Sequence, residues 1–200
     1  MGCTLDLSKG LQPMSKSVKQ GLSFRINSQN MDGGVNGHPL KVVYLNDKYT
    51  PHKAVENIET FKNQYKTNFI IAPLGTPTLR SYLDKVKANK TIVFFPPTGS
   101  PLFRDPTLSS IIHFRPSYEK EGEVLMKHAL QTSPRLKYLV FYQNDDFGQG
   151  GLKGIKKAFN QNKQNRTLHD IAYDRNQINF SKPIPEIKNY NPAVILFAST

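Results

Sequence analysis

Phe69-Ile70-Ile71-Ala72-Pro73-Leu74-Gly75-Thr76-Pro77 decides the fold. A run without charged side chains suits a strand buried on both faces, and such strands belong to parallel sheets covered by helices. Gly75 then marks a turn, and Thr76-Pro77 offers an N-cap hydroxyl followed by proline at the first helical position. Leu79, Tyr82, Leu83 and Val86 recur at helical spacing behind it. The unit is strand, loop, helix.

The unit recurs on both sides. Upstream, Thr4-Leu5-Asp6-Leu7 reads as a short strand, and Ser15 to about Asn30 as a helix whose Val18, Leu22 and Ile26 recur every four residues beside Phe24. Lys41 to Leu45 is a strand, and Thr50-Pro51 opens a helix with Ala54, Val55, Ile58 and Phe61 on its apolar stripe. Downstream, the strand Ile92 to Phe95 is stopped by Pro96-Pro97-Thr98-Gly99-Ser100-Pro101, which is too rich in proline to continue in either periodic form. Ile111 to Arg115 is extended, Tyr118 to about Leu130 helical, Tyr138 to Tyr142 a strand, Gly151 to about Asn160 a helix and Leu168 to Tyr173 a strand. A short helix, Pro185 to Tyr190, precedes a last strand, Ala193 to Ala198. Apolar strands alternating with amphipathic helices predict an α/β fold with doubly wound parallel sheets.

Composition narrows the function. The chain has 200 residues, 38% of them hydrophobic, an ordinary globular balance that excludes disorder, collagen and a disulfide scaffold. Its single cysteine, Cys3, forms no internal bridge and reads as a buried strand residue rather than a nucleophile. No apolar run approaches the ~20 residues of a membrane span, and no charged segment followed by an apolar one opens the chain as a leader would. The net charge of +12 raises nucleic-acid binding. The excess is nevertheless spread along the chain, with 15 basic and 7 acidic residues in 1–118 and 12 and 8 in 119–200. Its densest cluster, Lys153, Lys156, Lys157, Lys163 and Arg166, reads as a solvated helix face, and no nucleic-acid motif accompanies it.

Ligands of such sheets bind at the carboxyl ends of strands. That directs attention to the loops Ser8 to Gln12, Asn46 to Thr50, Gly75 to Thr78, Pro96 to Pro101 and Asn144 to Gly148. At Gly75-Thr76 the glycine permits close backbone approach, and the hydroxyl either caps a helix or meets a carboxylate or phosphate beside the helix N–H groups. Thr98, Gly99 and Ser100 put two hydroxyls and a glycine N–H in a stiff loop. Gly148-Gln149-Gly150 after a strand has the opening of a dinucleotide fingerprint, but the third glycine position is Lys153 and two acids crowd the turn. Asp146 reads instead as an N-cap. His38, His52, His113, His128 and His169 show no metal-ligand spacing, and no nucleophile elbow, Walker loop or zinc-protease motif occurs. The chain therefore reads as a non-enzymatic protein with no cofactor and no metal.

Five segments together resemble the type I periplasmic binding proteins, closest to the branched-chain amino-acid (Leu/Ile/Val) substrate-binding branch of ABC transporters. They are Gly33 to Gly37 with the strand and helix through Asn57, Pro73 to Thr78, Phe95 to Ser100, His113 to Tyr118, and Phe141 to Gly148 with its Asn144-Asp145-Asp146 turn. The resemblance spans essentially the whole chain. It implies two α/β lobes, residues 1–117 and part of a second in 118–200, that close over a small polar ligand such as an amino acid or related carboxylate. It implies ligand contacts from Gly75, Thr76, Pro97, Thr98, Gly99, Ser100, Tyr118 and Phe147, and a hinge at Arg115, Pro116 and Ser117. The implied partners are the small-molecule ligand and the membrane permease of an ABC transporter, or the signalling domain of a receptor or kinase in the alternative sensor role, with no nucleic acid. A transcription regulator on this fold would need a helix-turn-helix, and none is read in the chain. Periplasmic or extracytoplasmic localisation is implied too, although no signal peptide is read in the chain. Members of the family open on a full strand behind a secretion signal and run on well past Ala198, so the resemblance implies truncation at both ends and an incomplete second lobe.

Overall fold

The computed structural model describes residues 1–8, 10–88, 90–133, 137–162, 165–174 and 179–199. Two parallel sheets carry the chain, and its contacts group into two compact units. The first is Met1–Thr98 with Phe103–Arg115, and the second is Gly99–Leu102 with Pro116–Thr200.

In the first unit, strands β1 (Gly2–Leu5), β2 (Val43–Asn46), β3 (Phe69–Ile71), β4 (Ile92–Phe94) and β5 (Ile111–Ile112) pair in the order β2-β1-β3-β4-β5. All four pairings are parallel. Helix α1 (Gln12–Met31) lies against one face, where Val18 and Leu22 meet Cys3, Leu5, Tyr44 and Ile71. Helix α2 (Pro51–Asn63) covers the other: a Cβ on Gly2 would stand 2.5 Å from the Phe61 ring, and Asn57 Nδ2 donates to Thr4 Oγ1 at 2.9 Å. The shorter helices α3 (Thr76–Arg80) and α4 (Leu83–Lys87) follow β3.

Among the described residues no α-helix joins β4 to β5; a single 3-10 turn, Pro101–Phe103, lies between them. In the paired register Ile71, Phe94 and Ile112 share the face that α1 occupies. Beyond the reach of α1 that face is partly open among the described residues, with Phe69 and Ile112 exposed and Phe94 half-buried. Phe69, Phe94, Phe95 and Phe114 form a chain of ring contacts with centroids 5.9–6.1 Å apart, and Phe114 remains 69% exposed. Beside it, Val18, Gly21, Leu22, Ile71, Phe95 and Phe114 line an open groove of about 410 Å³.

In the second unit, β6 (Lys137–Gln143) lies between β7 (Thr167–Tyr173) and β8 (Val194–Ala198), parallel to both. From Tyr138 to Gln143 every residue of β6 is buried, as a central parallel strand requires. On one face Tyr138, Val140 and Tyr142 pack with Met126 and Leu130 of α5 (Tyr118–Thr132) and with Leu152, Ile155 and Phe159 of α6 (Asp146–Gln161). On the other, Leu139, Phe141 and Ile171 meet Ile187 and Tyr190 of α7 (Pro183–Tyr190).

The doubly wound parallel α/β expectation is met, while several element details differ. Helix α1 begins three residues before Ser15, because the Asp6 carboxylate accepts the Leu11 N–H at 3.0 Å and fixes the entry. Phe24 is 78% exposed and stands off the buried stripe. Strand β3 ends at Ile71 because Ala72 turns to φ +45°. The helix expected from Thr76 through Val86 breaks in two, with the Ser81 hydroxyl at 2.7 Å from the Thr78 carbonyl competing for the backbone there. Helix α6 begins five residues before Gly151. Its N-cap is Asp145 rather than Asp146: the Asp145 Oδ1 accepts the N–H groups of Phe147 (3.0 Å) and Gly148 (3.3 Å).

The basic cluster is answered by carboxylates. Lys153 pairs with Glu119 at 2.8 Å, Lys157 with Glu123 at 2.5 Å, and Lys156 with Asp170 at 2.7 Å. Arg166 donates to the Asn162 carbonyl at 3.0 Å, and Lys163 lies outside the described residues. A helix face neutralised in this way attracts phosphate weakly, since counterion release needs uncompensated cations. Among the described residues no helix is long and apolar enough to cross a membrane.

Candidate functional site

At the carboxyl edge of the first sheet, the loops after β3 and β4 meet. Thr76 Oγ1 lies 2.8 Å from Thr98 Oγ1, and both residues are buried, at 5% and 1% exposure. The Thr76 hydroxyl caps no helix: the N-cap of α3 is Gly75 and Thr76 is its first residue. Gly75 makes this possible. Its φ of +107° suits glycine, and a Cβ there would lie 2.4 Å from the Tyr49 ring and 2.7 Å from Thr78 Oγ1. The Thr78 hydroxyl turns back on the carbonyls of Leu74 (2.7 Å) and Gly75 (2.9 Å), which fixes the turn from below. In the β4 loop the Thr98 N–H donates to the Pro96 carbonyl at 2.7 Å, and Arg115 Nη1 donates to the Pro97 carbonyl at 3.3 Å.

A buried carboxylate stands at the end of β2. Asp47 is fully buried, its Oδ2 accepting from Thr4 Oγ1 at 2.7 Å and its Oδ1 from the Tyr49 N–H at 2.8 Å. Burial holds its carboxyl above the ordinary aspartate range, against the downward pull of those two hydrogen bonds, and the charge of Asp6 adds to the rise. Because the folded value lies above the unfolded one, the contribution of Asp47 to stability is full below about pH 4 and is lost as pH rises through the folded value. Glu59, Glu119 and Glu123 run the other way, since their lysine partners hold them low. Asp47→Asn removes the first trend alone. In melts from about pH 4 to 7 the parent should therefore lose ground steadily to the Asn variant as pH rises, and parallel profiles would refute the assignment. The thiol of Cys3 lies nearby on β1, fully buried, its Sγ–H directed at the Ala72 carbonyl at 3.8 Å. Burial first and then Asp47 push its ionisation far up, so it is an inert core residue, as a strand cysteine should be.

The remaining candidates lie in the second unit. Gly99 accepts the Tyr118 N–H at 2.8 Å, and a Cβ on it would stand 2.5 Å from that nitrogen and 2.9 Å from the Pro116 carbonyl. Ser100 is fully buried, and its Oγ accepts the Leu102 N–H at 3.3 Å. Ser117 is the N-cap of α5, its hydroxyl accepting the Lys120 N–H at 3.1 Å. Tyr118, the first residue of α5, meets Phe147 edge to face with centroids 4.9 Å apart at 87°. Phe147 is held in the first turn of α6 by the Asp145 cap, and Gln143 Nε2 in turn holds Asp145 Oδ2 at 2.5 Å.

Thus Gly75, Thr76, Pro97, Thr98 and Arg115 come together in one unit, and Gly99, Ser100, Pro116, Ser117, Tyr118 and Phe147 belong to the other. The glycines behind Phe147 serve packing. A Cβ on Gly148 would lie 2.0 Å from the Gln143 carbonyl, and one on Gly150 3.0 Å from Tyr118 Cβ, which leaves the dinucleotide reading without a phosphate loop. Among the described residues no three histidine, cysteine or acidic side chains gather as metal ligands.

A family model described as "Periplasmic binding protein" matches residues 1–200. The chain belongs to that family. The "Leu/Ile/Val-binding protein homolog 2" of Brucella abortus (strain 2308) is 21% identical over 195 residues, which is 98% of this chain and 52% of that protein. Among solved structures, a fatty acid ABC transporter substrate-binding protein from Thermomonospora curvata superposes with TM-score 0.85 at 19% identity, covering 99% of this chain and 50% of that one. The leucine-binding protein LivK from Thermotoga maritima gives 0.85 at 15% identity, with 98% and 55% covered. This periplasmic binding protein chain therefore spans about half the length of its relatives, and it shares the parallel α/β fold of the type I members.

Proposed function

We propose that the protein is the solute-binding component of an ABC transporter. In this reading it works outside the cytoplasm and captures a small polar ligand, an amino acid or related carboxylate, without transforming it. The lobes are residues 1–117 and 118–200, the ligand contacts are Gly75, Thr76, Pro97, Thr98, Gly99, Ser100, Tyr118 and Phe147, and the hinge is Arg115 to Ser117. The observation that carries the reading is the Thr76–Thr98 pair, two buried hydroxyls 2.8 Å apart at the strand edge where ligands of parallel sheets bind. A hydroxyl both donates and accepts and reorients about one bond, so the pair can meet a carboxylate or an ammonium without moving backbone. Family membership supports a binding role over catalysis. A ligand that touches two lobes stabilises the closed state by its differential affinity.

Titration calorimetry of the chain against leucine, isoleucine, valine and the other amino acids, with benzoate and a short fatty acid alongside, tests the ligand class. Heat is expected with at least one amino acid. Binding of benzoate or the fatty acid alone would replace the amino-acid reading, and silence throughout would remove it.

A further inference from the structure

The chain leaves the first unit twice, after Thr98 and after Arg115, and re-enters it at Phe103. One side chain meets both exits. Arg104 Nη2 donates to the Arg115 carbonyl at 2.6 Å and reaches the Thr98 carbonyl at 3.5 Å. These are the last carbonyls of the first unit at each departure. Arg115 adds a second tie, its Nη1 donating to the Pro97 carbonyl at 3.3 Å. Arg104 is itself well anchored, because the Phe103 ring beside it is 1% exposed and His113 Nε2 lies 2.8 Å from the Phe103 carbonyl. A carbonyl only accepts, so this contact fixes the Nε2–H tautomer.

We propose that Arg104 is the positioning residue of the hinge, a buckle that holds the two exit carbonyls at a set spacing so that bending falls on the backbone beyond them. The inference rests on the binding reading above for its purpose, and on these contacts alone for its mechanics. A guanidinium suits the task because its planar, permanently charged fork serves two acceptors, whereas a lysine ammonium is a point charge on a flexible stem. The loop that carries Thr98 and the segment that leads into α5 are thereby tied to one group, so a displacement of either is felt by the other.

Hydrogen exchange on the ligand-free chain tests this without reference to any ligand, so its result stands whether or not an amino acid binds. Three amides report on the exits: Thr98 N–H on the Pro96 carbonyl, Leu102 N–H on Ser100 Oγ and Tyr118 N–H on the Gly99 carbonyl. In Arg104→Met they should exchange on the order of tenfold faster, the scale of one charged hydrogen bond, while the Ala72 and Val93 amides inside the sheet keep their rates. Arg104→Lys should give a smaller acceleration at the same three amides, and it retains the charge if the Met variant fails to fold. Unchanged rates at the three amides would overturn the proposal. So would an acceleration shared equally with Ala72 and Val93, which marks general loss of stability.

Discussion

Gly154→Ala should destabilise the second unit by about 2 kcal/mol, whereas Gly21→Ala should stabilise the first by roughly 0.5–1 kcal/mol. Both residues sit inside helices, so the intrinsic gain from replacing glycine, up to ~1 kcal/mol, is common to both. The surroundings decide the sign. Around Gly21 in α1 an added Cβ meets nothing within 4 Å. At Gly154 it would stand 1.9 Å from the Glu119 carbonyl oxygen and 2.7 Å from its carbon, which are backbone atoms that no rotamer change can clear. The fit is mutual, since a Cβ on Gly122 of α5 would lie 2.3 Å from the Gly151 carbonyl of α6. The two helices pack backbone to backbone, and one methyl forces them apart. That loosens the layer in which Met126 and Ala129 pack with Leu152, Ile155 and Phe159, and overpacking of this kind costs about 1–3 kcal/mol or more. Urea unfolding followed by circular dichroism measures both variants. A Gly154→Ala protein as stable as the parent would show that α5 and α6 are not in contact at this point.

That contact also explains what was hard to read in the sequence. Gly148-Gln149-Gly150-Gly151 has the weak helix propensity of a loop, so α6 was expected only from Gly151, yet tertiary packing requires glycine there and overrides the propensity. Strands such as β6 were legible because burial on both faces calls for the unbroken apolar and aromatic run Tyr138 to Tyr142. The candidate site was legible in part, because the rule that ligands sit at strand carboxyl ends points to five loops, those of Gly75 and Thr98 among them. What Thr76 does there was not: a Thr-Pro pair reads as a cap, and only the fold brings a hydroxyl from 22 residues away to 2.8 Å. Arg104 left no trace in the sequence for a related reason, since its partners are backbone carbonyls, which every residue has. The acidic answer to the lysine cluster was half visible. Glu119 and Glu123 lie four apart on α5, but that they face Lys153 and Lys157 follows from the close helix pairing that the glycines permit.

Thr76→Val and Thr98→Val should each weaken binding of the amino acid that gives heat in the titration by about 1–3 kcal/mol, the scale of a hydrogen bond to a charged group. Valine keeps the shape and removes only the hydroxyl, so a loss reports on polarity rather than volume. Each single change also removes the 2.8 Å hydroxyl–hydroxyl hydrogen bond of a buried pair, and a typical hydrogen bond is worth about 0.5–1.5 kcal/mol of folding stability. The double variant loses that same hydrogen bond only once. Its unfolding cost should therefore fall below the sum of the singles, the coupling a double-mutant cycle measures. Binding has no such relief, because a charged ligand group facing two methyl groups has lost both partners, so the double variant should bind no better than the worse single. Stability compensates while affinity does not, and that divergence separates a pair that grips a ligand from one that merely holds two loops together. If affinity is unaltered in all three variants while the stability cycle closes as described, the pair is structural and the ligand is held elsewhere.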